Sequence, residues 1–247
     1  MSAVQTIYGL HAVRAVLMRH PQRVRMVRLA RERDDARMRE IEALARRQGC
    51  RIERLEAGRL KQIASDVAHQ GVLAEIEPLP PWTENDLLEA VVKTAHPLLL
   101  ALDGVQDPHN LGACLRTADA CGALAVIIPK DRAAQLTPAA RKVAAGAAET
   151  TPVVSVTNLS RLLKLLKEAN VWAVGADMTG EKQPHEVDLR GGVVLVLGAE
   201  GAGLRQLTRQ NCDFLVSLPQ LGAVESLNVS VAAGMLLYEA GRQRAQA

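Results

Sequence analysis

Residues 193 to 203 read Val-Val-Leu-Val-Leu-Gly-Ala-Glu-Gly-Ala-Gly, and the fold turns on this stretch. Val193 to Leu197 is continuously apolar, as expected of a strand buried on both faces of a parallel sheet. The run stops at Gly198, and with Gly201 and Gly203 it makes a turn before Leu204 to Gln210, which reads as a helix. Strand, glycine turn and helix together set a ligand crevice at the carboxyl edge of an α/β sheet. The spacing is GxxGxG rather than GxGxxG, and no Gly-Lys-Ser/Thr follows, so neither the dinucleotide nor the P-loop fingerprint is met. Glu200 inside the loop would repel a pyrophosphate, so the ligand expected there is neutral or cationic. Taken alone, three glycines read equally well as a tight turn with no ligand.

Working outward, the next apolar run, Phe214 to Leu218, ends at Pro219 and gives way to a polar loop before a helix that runs to Arg244. Ser226 or Asn228 can cap that helix, but capping does not explain why Glu225, Ser226, Asn228 and Ser230 crowd beside the end of a buried strand. Upstream, Leu98 to Leu102, Ala125 to Ile128, Val153 to Val156 and Val171 to Ala176 also read as strands. Helices fall between most of them, such as Leu136 to Ala145 and Leu159 to Ala169, which predicts a mostly parallel sheet covered on both faces. The first of these strands leads into a third informative loop. There Asp107-Pro108 favours a turn, Asn110 sits where a helix N-cap belongs, and Arg116 follows among Ala, Cys and Leu. An arginine in such company is expected to be partly buried against an anion, either Asp119 three residues on or a substrate phosphate.

The amino-terminal third is different in kind. Residues 1 to 80 hold 15 Lys and Arg against 10 Asp and Glu, in a chain whose net charge is only +3. Ile7 to Val13 leads into a short helix, and Val24 to Leu29, Arg51 to Leu55 and Val72 to Ile76 read as strands around helices at Asp34 to Gln48 and Glu56 to Ser65. The division expected is an RNA-binding domain over residues 1–76, a proline-stiffened linker over 77–84, and a larger α/β domain over 85–247. An arginine-rich module beside a near-neutral one suggests docking of a polyanion, although solvated arginine-laced helices would look the same. With Tyr8, Trp82, Trp172, Phe214 and Tyr238 the only aromatics, base stacking cannot be the main mode of nucleic-acid binding. His11 and His69 read as structural. Cys50, Cys114, Cys121 and Cys212 form no CxxC pair, so no metal is expected and the thiols are expected reduced and mostly buried. No apolar run approaches a membrane span, and the expected location is cytoplasmic.

Asn110 to Arg116 with its flanks, Gly198 to Gly203, and Ser226 to Ser230 resemble the three motifs of the SpoU (TrmH) branch of the SPOUT RNA methyltransferases. Ile7-Tyr8-Gly9 and His69-Gln70-Gly71-Val72 resemble the substrate-binding domain of the 23S rRNA guanosine 2′-O-methyltransferases within it, so the likeness covers nearly the whole chain. The resemblance implies an L30e-like amino-terminal domain, a carboxy-terminal SPOUT domain with a deep trefoil knot, and a homodimer. The cofactor implied is S-adenosylmethionine, met by Leu197, Gly198, Glu200, Leu218 and Leu227, with no metal. The reaction implied is in-line methyl transfer to a ribose 2′-oxygen of a guanosine in the P loop of 23S rRNA. Arg116 would act on that oxygen, while Asn110, Glu200, Ser226 and Asn228 shape the site. A guanidinium is effectively always protonated, so holding the phosphate and the developing alkoxide suits Arg116 better than acting as a base. A tRNA substrate, a non-catalytic RNA-binding assembly factor and a nicotinamide-dependent oxidoreductase are the competing readings. The first keeps the enzyme class, the second has to explain intact Asn110, Arg116, Glu200 and Asn228, and the third lacks GxGxxG.

Overall fold

The computed structural model describes residues 4–65, 69–223 and 226–246. The chain forms two compact units, one of residues 1–80 with 145–150, the other of residues 81–144 with 151–247.

The first unit is a four-stranded mixed sheet, built from β1 (Gln5–Tyr8), β2 (Val24–Ala30), β3 (Arg51–Leu55) and β4 (Val72–Ile76) in the order β1-β4-β2-β3. β4 runs antiparallel to both its neighbours, and β2 pairs with β3 in parallel. β1 is an addition to the sequence reading, which saw Ile7 only as the lead into a helix; four residues carry too little alternation to announce a strand, and pairing with β4 makes it one. Helices α1 (Leu10–Arg19), α2 (Ala36–Arg47) and α3 (Ala57–Ala64) bury Val13, Val16, Leu17, Met38, Ile41 and Leu60 against it. Asp35 caps α2 by accepting from the amides of Arg37 and Met38. Buried Arg23 donates to the carbonyls of Glu77 at 2.8 Å and Glu149 at 3.2 Å, with the Glu149 carboxylate at 3.7 Å. Much of the arginine excess is matched in place: Arg14, Arg25, Arg28, Arg33, Arg39, Arg46 and Arg54 each lie against a carboxylate of the same unit.

The second unit holds a sheet of six parallel strands. They are β5 (Leu98–Asp103), β6 (Ala125–Pro129), β7 (Val153–Val156), β8 (Val171–Ala176), β9 (Gly192–Gly198) and β10 (Phe214–Val216), in the order β10-β8-β9-β5-β6-β7. β5 is buried along its whole length, as its apolar run requires. The helices are α4 (Glu84–Lys93), α5 (Pro108–Ala120), α6 (Pro138–Val143), α7 (Leu159–Glu168), α8 (Gln206–Gln210) and α9 (Val229–Arg244). On α7, Leu159, Leu162, Leu163 and Leu166 recur at helical spacing and are all buried, each contributing about 1.5–3 kcal/mol by removal from water. α5 and α6 approach closely because residue 112 is glycine: a Cβ there would lie 2.4 Å from the Ala140 carbonyl oxygen.

Register fixes where the loops emerge. Asp103 of β5 pairs with Gly198 of β9, Gly175 of β8 with Val196, and Ala176 with Val216 of β10. Four strands therefore end side by side, and the loops that follow them leave from one edge of the sheet. Two expected helices are shorter than read: α6 spans Pro138–Val143, and α8 starts at Gln206, because Arg205, whose amide bonds Asp103 Oδ2 at 2.9 Å, is extended at φ −61° and ψ 146°. No helix among the described residues is long and apolar enough to cross a membrane.

Candidate active site

Asn110 from the first turn of α5, Glu200 from the glycine turn and Asn228 from the start of α9 meet at this edge. Glu200 Oε1 accepts from Asn110 Nδ2 at 3.0 Å, from Asn228 Nδ2 at 2.8 Å and from the amide of Val229 at 3.4 Å. Asn228 Nδ2 also donates to Asn110 Oδ1 at 3.0 Å, which closes a triangle of side chains. Each has a local reason for its place. Asn228 is the N-cap of α9, accepting from Ser230 N at 2.8 Å and from the Ser230 hydroxyl at 2.5 Å. Asn110 is not the cap of α5 that its position suggests. Asp107 takes that role, accepting from His109 N at 2.8 Å, with Pro108 as the first helical residue. Asn110 thus stands two residues further into the helix, its amide side chain free to reach Glu200. The bond from the His109 amide, with the His109 ring beside it, holds the Asp107 carboxyl below the usual carboxylate range.

Glu200 also borders a cleft of about 450 Å³, which falls within the range of small-molecule sites. Its walls are Ala176 to Thr179 after β8, Leu197 to Gly203 around the end of β9, Val216, Leu218 and Gln220 around the end of β10, and Ser226, Leu227, Val229 and Ala232 at the start of α9. The glycine loop folds on itself, Ala199 and Gly203 exchanging backbone bonds of 3.1 and 2.9 Å. A Cβ at Gly198 would lie 2.0 Å from the Gly203 carbonyl carbon, so only glycine fits there. The described lining residues include the carboxylates of Glu200 and Asp177 and no lysine, arginine or histidine. Such a site suits a cation and suits a pyrophosphate badly. Leu197, Gly198, Glu200, Leu218, Leu227 and Ser226 all line it. Glu225 lies outside the described residues.

Two features depart from expectation. Arg116 is exposed rather than partly buried, and it makes no ion pair or side-chain hydrogen bond among the described residues. Asp119, the partner that sequence spacing offered, instead accepts from the Thr151 hydroxyl at 2.9 Å. Six residues separate Arg116 from Asn110, about 240° around the helix, so the two leave α5 in different directions. The other departure is the loop Asp177 to Thr179, which sequence reasoning passed over. Burial pushes the Asp177 carboxyl up, but the Thr179 hydroxyl at 2.6 Å, the Thr179 amide at 2.9 Å and Arg209 at 3.1 Å outweigh it and hold the carboxyl below its ordinary range. The signal available in sequence was only that β8 runs parallel beside β9 and so must end at the same edge. Of the four cysteines, Cys114 is buried and its thiol is pushed up to about 12 by burial and by Glu200, while the other three are half-buried.

Comparison with known proteins agrees with this geometry. Residues 97–238 match the SpoU rRNA Methylase family, and residues 6–82 match a domain described as RNA 2′-O ribose methyltransferase substrate binding. The chain is 51% identical over 245 residues to the 23S rRNA (guanosine-2′-O-)-methyltransferase RlmB of Pseudomonas putida, covering 99% of this chain and 98% of that one. It is 47% identical over 240 residues to RlmB of Escherichia coli, covering 97% and 99%. Among solved structures, the SpoU methyltransferase AviRb from Streptomyces viridochromogenes in complex with the cofactor AdoMet superposes with a TM-score of 0.75 at 25% identity, over 99% of this chain and 92% of that one.

Proposed function

This chain belongs to the SpoU rRNA methylase family, and we propose that it catalyses S-adenosylmethionine-dependent 2′-O-methylation of a guanosine in 23S rRNA. The observation that carries the reading is the convergence of Asn110, Glu200 and Asn228 beside a cleft walled by carboxylates and free of basic side chains among its described residues. When bound there, S-adenosylmethionine supplies a methyl group on a positively charged sulfur. Backbone and side chains around Leu197, Gly198, Leu218 and Leu227 would hold it, and Glu200, which fixes both asparagine amides, would offset its charge. Ser226 and Asn228 shape the mouth of the cleft toward the ribose. Arg116, exposed and without a side-chain partner among the described residues, clamps a phosphate of the target nucleotide and stabilises charge developing on the 2′-oxygen. Alignment of that oxygen with the methyl carbon is the main task, since positioning alone can supply about 7–11 kcal/mol of a barrier.

The match over residues 6–82 supports an RNA-binding role for the amino-terminal domain, read as residues 1–76 with 77–84 as linker, and the match over residues 97–238 supports 85–247 as the methyltransferase domain. A knot is supported by the path of the chain, which leaves β9, passes to β10 on the far side of β8, and returns as α9 against β9 and α5. A homodimer through α9 is supported by Val231, Met235 and Tyr238, which are 50%, 44% and 70% exposed at one-turn spacing along the helix. The P loop as target is supported by the resemblance of the sequence motifs, and a cytoplasmic location by the want of any apolar run approaching a membrane span.

The test is methyl transfer from labelled S-adenosylmethionine to 23S rRNA from cells lacking this gene, with tRNA as control and the labelled nucleotide mapped. Label on one guanosine 2′-oxygen of the P loop is the expected result. Label on tRNA would overturn the substrate, and no label on rRNA or ribosomal precursor particles would overturn the reaction.

A further inference from the structure

The loop after β6, from Lys130 to Gln135, leaves from the same sheet edge as the site. Lys130 and Arg132 are exposed, and neither side chain makes an ion pair or hydrogen bond among the described residues. The loop is nonetheless fixed. Gln135 Nε2 lies 3.1 Å from the carbonyl of Pro129, 3.3 Å from that of Lys130 and 3.2 Å from that of Ala133, and the Ala134 amide donates to Val105 O at 2.7 Å. Arg132 is held in the left-handed backbone region, at a φ of 54°. Its carbonyl accepts from Arg205 at 3.3 Å, and the Arg205 guanidinium lies 3.6 Å from buried Asp103 while its backbone amide bonds the same carboxylate at 2.9 Å. Arg205 therefore ties this loop both to the end of β5, which leads into α5, and to the glycine turn on the cleft.

We propose that Lys130 and Arg132 form a preorganised phosphate clamp, seating the RNA backbone next to the target ribose on the methyltransferase unit itself. The inference rests on the reading of this chain as an RNA 2′-O-methyltransferase and adds to it where the strand lies. Two free cations on a pinned loop lose little freedom on meeting phosphates, whereas Arg14, Arg23, Arg25, Arg28, Arg33, Arg39, Arg46 and Arg54 of the first unit already lie against carboxylates. Phosphate contacts of this kind position a strand and carry no base preference. Asp131 between them is exposed and leaves the pair with a net positive charge.

Lys130→Ala and Arg132→Ala are each expected to raise the KM for 23S rRNA about five- to tenfold at moderate salt, the loss falling on KM rather than on kcat. Each should also flatten the plot of log affinity against log salt by about 0.7–0.9, the value of one phosphate contact. Lys164→Ala, an exposed lysine on α7, serves as the control that changes neither. RNA binding and methyl transfer are measured on the same samples, which keeps the two ideas apart. A wild-type KM and salt slope in the Lys130→Ala/Arg132→Ala double variant of an active enzyme would overturn the clamp. A flattened slope in a protein whose wild type transfers no methyl group would uphold the clamp and overturn the reaction.

Discussion

Asn228 lies 2.8 Å from Glu200 through a single amide hydrogen bond that joins the start of α9 to the glycine turn, and the same residue caps that helix through its other side-chain atom. The two duties separate by substitution. Asn228→Ala loses both, and is expected to cost about 1 kcal/mol as a lost cap, or roughly 2–4 °C in melting temperature. Asn228→Asp still accepts from Ser230 but cannot donate, and it sets a second carboxylate against Glu200. It should melt near the wild type and lose on the order of 100-fold in single-turnover methyl transfer. Equal activity in Asn228→Asp and wild type would show that the bond to Glu200 plays no part in turnover.

Arg116 is exposed and has no side-chain partner among the described residues, so its replacement should leave the fold untouched. Arg116→Lys keeps a charge but not the two-pronged geometry, and its single-turnover rate should fall about 100-fold while cofactor affinity and melting temperature stay within error of wild type. Full turnover in Arg116→Lys would rule out a bidentate clamp on phosphate and ribose.

Gly198→Ala tests the cleft. The new methyl group would sit 2.0 Å from the Gly203 carbonyl carbon, so the turn must move. Overpacking of this kind costs about 1–3 kcal/mol, and cofactor binding followed by calorimetry should weaken more than tenfold. Gly222→Ala, with open space at its Cβ, is the matched control.

Glu239 on α9 receives Arg242 through Nε and NH2, both at 2.8 Å, which with the Gln243 amide at 2.9 Å draws its carboxyl down to about 2. A carboxylate whose folded value is depressed contributes stability above its unfolded value of 4.5, and loses it as pH falls toward about 2. The gap in melting temperature between wild type and Glu239→Gln should therefore be full at pH 6, shrink below pH 4.5 and vanish near pH 2. A gap that stays constant from pH 6 to pH 3 would contradict the depressed value.

Much of the molecule was legible along the chain. β3, β4, β7 and β8 occupy the residues that apolar patterning assigns them, and α9 ends at Arg244 as read. Continuous burial writes itself into sequence as an unbroken apolar run, and Leu98 to Leu102 and Val193 to Leu197 are such runs. β1 and the start of α8 were less legible, because each depends on a partner distant in sequence: β4 for the one, Asp103 for the other.

The sequence by itself determined which residues are polar where strands end, singling out Asn110, Glu200, Ser226 and Asn228 through their likeness to the family's motifs, together with a glycine-rich turn at Gly198 to Gly203. Local patterning carries that much, because a strand, a cap and a glycine turn are each specified by neighbours a few residues away. Only the tertiary structure decided that three of those residues share hydrogen bonds, that Arg116 stands exposed with Asp119 engaged elsewhere, and that Asp177 to Thr179 walls the cleft. Each of these is a contact across many tens of residues or a direction of projection from a helix. Such geometry is set by the register of the parallel strands beneath the loops, which no short stretch of the chain contains.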